Sequence, residues 1–109
     1  MELREMQKEC HRVAVVKGWW AEPRGIPEQI ALMHSELSEA LEEHRNGMPP
    51  NLIYRDENGK PEGFGIELAD CVVRILDTCG RYDVDLEHCL KLKMAYNETR
   101  PFRHGGKKA

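Results

Sequence analysis

"EQIALMHSELSEALEEHRNG", Glu28 to Gly47, is the stretch on which the fold turns. Its apolar residues Ile30, Met33, Leu37, Ala40 and Leu41 recur at three- and four-residue steps, the period of one helix face. Pro27 suits a first helical turn and Glu28 favours the positive end of the helix dipole. Asn46-Gly47 is a stop. The same segment also sets Glu36, Glu39 and Glu43 at helical spacing, where like charges repel. Such a stripe is either solvated or faces something positive.

Outward from this helix the chain reads as more of the same kind. Residues 2–17 form a first helix with Leu3, Met6, Cys10, Val13 and Val16 or Lys17 on one face, closed by Gly18. "WWAEPRGIP" is a connector punctuated by proline and glycine. Residues 48–63 form a long loop or small hairpin with "ENGK" as its turn, a length often used for functional lids. A third helix is expected from about Phe64 to Cys79, burying Ile66 or Leu68, Cys71, Val72, Ile75 and Leu76, with Gly80 as its stop. A fourth starts after Asp83 or Asp85 and runs to about Asn97. Pro101 closes it, and a basic, mobile tail follows from about residue 101.

The expectation is therefore a single all-α domain spanning 1–109: a four-helix bundle with a long loop between helices two and three. A core this small would be helped by oligomerisation. No apolar run approaches the roughly 20 residues that span a bilayer. The opening "MELREMQKECHR" is polar and carries acids, unlike a signal or transit peptide, so a cytoplasmic location is expected. Cys10, Cys71, Cys79 and Cys89 contain no C-x-x-C pair and are expected to act as small buried hydrophobes.

The net charge of −3 hides an asymmetry. Residues 26–90 hold 5 basic and 14 acidic residues, whereas residues 91–109 hold 6 and 1. An acidic middle with a basic tail does not fit a nucleic-acid polymer, which calls for a basic face. It suits a ligand that combines cation and phosphate.

The chemistry gathers in two pairs of acids. Glu36-Leu-Ser-Glu39 sets two carboxylates at i, i+3, and Glu67-Leu-Ala-Asp70 repeats the arrangement. Twenty-seven residues lie between Glu39 and Glu67, enough to return the chain antiparallel. Four carboxylates converging from facing helices need hard cations, and all-oxygen ligands favour Mg²⁺ or Mn²⁺. A di-iron bundle asks for Glu-x-x-His on two helices, and neither pair supplies the histidine. The plain alternative is two solvated acidic faces.

With these residues in view the sequence resembles the MazG-like all-α nucleoside triphosphate pyrophosphohydrolases. The likeness rests on E36-x-x-E39 and E67-x-x-D70, and on "HSELSEALE", "ELADCVVRILD" and "KMAYNETRPFRHGGK", and it covers roughly Gly18 to Lys107. It implies a helical homodimer or dimer of dimers with the site near the subunit interface. It also implies Mg²⁺-dependent cleavage between the α and β phosphates, releasing a nucleoside monophosphate and pyrophosphate. Carried over by position, Glu36, Glu39, Glu67 and Asp70 would be catalytic metal ligands. Lys93, Asn97 and Arg100 would hold phosphates, aided by His104 and Lys107. Ser35 stands where many members carry a glutamate, which leaves the general base unassigned. Glu43 is a candidate for a second metal or for orienting water, against a solvated reading.

Trp19, Trp20 and Tyr96 are the candidates for stacking on a base, with core packing as the plain alternative. Arg74 and Asp77 read as a surface pair, His34 as a partly buried histidine and Lys60 as an exposed turn lysine. The functional expectation is a nucleotide-pool hydrolase acting on (d)NTPs. Its rivals are a non-catalytic helical dimerisation module and a phosphohydrolase for another nucleotide, such as an alarmone.

Overall fold

The computed structural model describes Met1–Ala109 and is predominantly helical. In order come α1 (Leu3–Val16), α2 (Ile26–Arg45), β1 (Tyr54–Arg55), β2 (Pro61–Glu62), α3 (Phe64–Arg81), α4 (Leu86–Thr99) and the short α5 (Arg103–Gly106). The all-α class holds. The excursion between α2 and α3 is a small antiparallel hairpin in which Tyr54 pairs with Glu62 and Arg55 with Pro61. Its turn is locked by Asp56, whose Oδ1 accepts from the backbone N–H groups of Asn58 and Lys60 at 2.8 and 2.9 Å.

Helix α3 is the centre, with α1 and α2 packed against it. Helices α2 and α3 run antiparallel. The Tyr82 hydroxyl donates to the Arg24 carbonyl at one end, Arg74 pairs with Glu36 midway, and Glu67 lies beside Glu43 at the other. Ala14, Ala40, Cys71, Leu76 and Cys79 form the small core.

Helix α3 runs through Gly80 to Arg81 rather than stopping at the glycine. A Cβ on Gly80 would lie 2.6 Å from the His11 Cβ. The residue is thus a notch that lets α1 approach α3, not a terminator.

Helix α4 begins on a true cap: Asp85 accepts from the His88 N–H at 3.0 Å and pairs with Arg4. It buries no residue and leans chiefly on α1. A four-helix bundle is therefore not closed within one chain. The radius of gyration, 16.6 Å, exceeds the about 13 Å of a compact chain of this size. After Pro101 the chain makes one irregular turn, with His104 in the left-handed region.

Several faces also differ from those the periodicity suggests. On α1 the residues turned inward are Leu3, Gln7, Cys10, His11 and Ala14, while Met6, Val13 and Val16 are exposed. On α2 the difference is larger. Gln29, Leu32, Met33, Glu36, Ala40 and Glu43 point toward the rest of the chain, and Ile30, Leu37 and Leu41 look outward, the last two 47% exposed. Two of the three acids of the stripe, Glu36 and Glu43, face in, while Glu39 and much of the apolar stripe face out. Cys89 and His34 are exposed as well, so neither joins the core.

Candidate functional site

The inward stripe of α2 meets the first turns of α3, and carboxylates gather there. Glu36, Glu67 and Asp70 each place a carboxylate oxygen within 4.8 Å of the other two. Glu43, Glu62 and Glu67 form a second such group, so Glu67 belongs to both. Position explains the sharing: Glu67 lies in the first turn of α3, directly under the hairpin that delivers Glu62. The hairpin reaches so close because Gly63, at φ 135°, lacks a Cβ that would collide with the Leu52 carbonyl oxygen.

Five carboxylates here face two cations. Arg74 Nε donates to Glu36 Oε1 at 2.9 Å, and Lys60 Nζ sits 3.6 Å from Glu62 Oε1. Glu67, only 9% exposed, carries the strain of the imbalance. Burial, and then the charges of Asp70 and Glu36, push its carboxyl up to about 7. Asp70 is also raised, by burial first and then by Glu36, with Lys60 and Arg74 pulling the other way. Tyr54 donates its hydroxyl to both oxygens of Glu43 at 2.8 and 2.9 Å, which raises the phenol to about 12. A surplus of mutually repelling carboxylate oxygens, one of them buried, matches what a hard divalent cation needs.

The first trio opens onto a cavity of about 450 Å³ between α1, α2 and α3. Glu36 and Asp70 lie on its wall, with Gln29, Arg74, Asp77 and the two tryptophans. Asp77 does not pair with Arg74, as the spacing suggested. Arg74 is taken by Glu36 on the facing helix, while Asp77 Oδ1 accepts from Trp20 Nε1 and contacts His11 Nδ1, both at 2.9 Å. Trp20 is thereby fixed, with Arg81 over its ring at 4.8 Å and His11 and Tyr82 edge-on. Trp19 is 61% exposed and carries the Arg24 guanidinium 5.8 Å from its ring.

The residues picked out in the sequence thus separate into two sets. Glu36, Glu67 and Asp70 come together; Glu39 is exposed and joins neither trio. Ser35 donates to the Leu32 carbonyl at 2.6 Å, a local back-bond. Lys93, Asn97 and Arg100 stay on or at the end of α4, and none lines the cavity. Lys93 and Arg100 instead lie 5.2 and 5.5 Å from the ring of Tyr96, which is exposed rather than packed. Sequence reasoning passed over Glu62 and Gln29. Glu62 had no motif spacing to mark it, whereas Gln29 could be found as the residue two turns before Glu36 on the same face.

No protein-family model matches the chain, and no curated protein or solved structure matches it either. No helix is long and apolar enough to cross a membrane.

Proposed function

We propose that this protein is a Mg²⁺-dependent nucleoside triphosphate pyrophosphohydrolase, a hydrolase acting on phosphoric anhydrides, of the MazG-like kind its motifs resemble. Mn²⁺ is an acceptable substitute in an all-oxygen site. The observation that carries the reading is the convergence of Glu36, Glu67 and Asp70 across α2 and α3 at the edge of a cavity. A lone acidic stripe has no reason to bury one member and hold it near neutrality.

In this reading Glu36, Glu67 and Asp70 hold the cation, with Glu43 and Glu62 beside it and Glu39 at the exposed margin. Bound Mg²⁺ supplies charge screening of the triphosphate and activation of water. Arg74 keeps Glu36 aimed across the helix pair. Lys93, Asn97 and Arg100 hold the phosphates, and the two cations, Lys93 and Arg100, neutralise the charge that moves onto the departing pyrophosphate. They stand apart from the carboxylates within one chain, so they act from a second copy, with α4 of one subunit laid over the acids of another.

The outward apolar residues Ile30, Leu37 and Leu41 support that assembly, a homodimer or dimer of dimers. A purely structural dimerisation module would use the same apolar face but has no need of the inward acids.

The test is a product assay on purified protein with Mg²⁺ and a panel of (d)NTPs. Monophosphate and pyrophosphate are expected, with Glu36→Gln and Asp70→Asn slower by at least the roughly 100-fold that loss of a metal site's supporting residue can bring. No turnover of any nucleotide with either metal would sink the reaction and leave the dimerisation module.

A further inference from the structure

The cavity has two ends, and the carboxylate trio occupies one of them. Along α2, Gln29 lies seven residues before Glu36; along α3, Asp77 lies seven after Asp70. Because the helices are antiparallel, both intervals run the same way, away from the trio. Seven helical residues span about 10 Å, a distance that a ribose can bridge between a ring and its first phosphate.

What waits at the far end is built for hydrogen bonding. Gln29 is 4% exposed, lines the cavity, and has no side-chain partner in the chain. No buried side-chain nitrogen or oxygen is sealed off without a partner. The Gln29 amide therefore reaches the cavity space itself. An amide held at the cavity wall with no partner in the chain is free to bond what enters the cavity, water or a ligand. Asp77 adds an acceptor, since both of its protein contacts fall on Oδ1 and Oδ2 is left for another donor. Trp20 is held in place by that same carboxylate, whereas Trp19, on the cavity wall and largely exposed with the Arg24 guanidinium beside its ring, is able to cover a flat ligand.

We infer that the far end of this cavity is a base-recognition site selective for an amino-bearing heterocycle, read by the Gln29 amide and Asp77 Oδ2 and covered by Trp19. An exocyclic amino group donates to the Asp77 carboxylate, while the adjacent ring edge exchanges a donor and an acceptor with the amide. A carbonyl in place of the amino group sets oxygen against carboxylate, and only a shift that brings the neighbouring ring N–H onto Asp77 Oδ2 restores a donor, so such a base binds more weakly. Cytosine, adenine and guanine fit directly; uracil, thymine and hypoxanthine fit only after that shift. That the base belongs to a triphosphate rests on the reaction proposed above, whereas the selectivity for an amino group does not.

The experiment uses the whole chain without metal and six nucleosides: cytidine, adenosine, guanosine, uridine, thymidine and inosine. Binding is followed by calorimetry and by ¹⁵N NMR of the wild-type Gln29 side-chain amide and Trp19 indole. At least one amino-bearing nucleoside is expected to shift both signals and to bind about tenfold or more tighter than its carbonyl counterpart. Gln29→Leu should remove that preference and Gln29→Glu, which keeps the size and one acceptor, should fall between. Unmoved Gln29 and Trp19 signals with every nucleoside would overturn the proposal, and need no variant to fold. So would equal affinity for the two groups, or a Gln29→Leu protein that still discriminates. Nucleoside binding at Gln29 without triphosphate turnover would remove the reaction and keep the pocket. Turnover with equal kcat/KM for all bases, unchanged in Gln29→Leu, would do the reverse.

Discussion

Replacing Glu67 by glutamine should stabilise the metal-free protein, and only at high pH. The folded chain holds this carboxyl at about 7, against an ordinary value of 4.5. Between those limits the folded state keeps a proton that the unfolded state has released. Stability from this group is therefore fully present below about pH 4.5 and lost as the pH climbs through 7. About 2.5 pH units at about 1.36 kcal/mol each sets a ceiling near 3 kcal/mol, which relaxation of the neighbouring carboxylates brings to about 2–3 kcal/mol. Glutamine mimics the protonated form, so Glu67→Gln should gain that amount over wild type at about pH 8 and little at about pH 5. The assay is urea denaturation followed by circular dichroism, in EDTA and at one protein concentration, because assembly also adds stability. Adding Mg²⁺ at the higher pH should then reverse the order, stabilising wild type and leaving the variant unchanged. A variant that is weaker than wild type at that pH without metal would refute the reasoning, because the carboxylates would not be repelling one another.

Three other outcomes follow from packing. Gly80→Ala drives a Cβ toward His11 and should cost about 1–3 kcal/mol in overpacking, partly offset by the about 1 kcal/mol that alanine gains in helix propensity; denaturant titration reads the net loss. Asp85→Ala removes the acceptor of the His88 N–H, and amide exchange should show the first turn of α4 opening while α3 stays protected. Leu37→Glu places a charge on the outward face of α2 and should shift sedimentation from an assembled species to a single chain; an unchanged profile would mean that face is not the interface.

The existence of the four long helices was legible because their periodicity depends only on which residues share a face. Which face turns inward was not. On α2 the period groups Ile30, Leu37 and Leu41 correctly, yet it says nothing of whether this chain or another covers them. Glu36, Glu67 and Asp70 were legible through their i, i+3 spacing, but Glu39 was grouped with them by the same rule and stands outside. A modest rotation about the α2 axis separates an inward from an outward acid, and spacing alone does not fix that angle. Gly80 misled because glycine serves both to end helices and to let them touch. Glu62 owes its role to Glu67, which the hairpin crowds from above. Asp77 owes its role to Trp20 and His11, 57 and 66 residues away. No local pattern encodes either partnership.

The tandem tryptophans have a practical consequence. Trp20 is half-buried and bonded through its indole N–H to Asp77, while Trp19 is largely open to solvent. One ring emits from a fixed, shielded setting and its chain neighbour from a wet one. The protein thus carries a built-in optical pair: Trp20 as internal reference and Trp19 as sensor. A ligand that covers the open ring would act chiefly on the red edge of the emission, with a smaller effect through Trp20, which also lines the cavity, whereas unfolding would move both. Occupancy and integrity of the cavity can be told apart in a single spectrum, without a label.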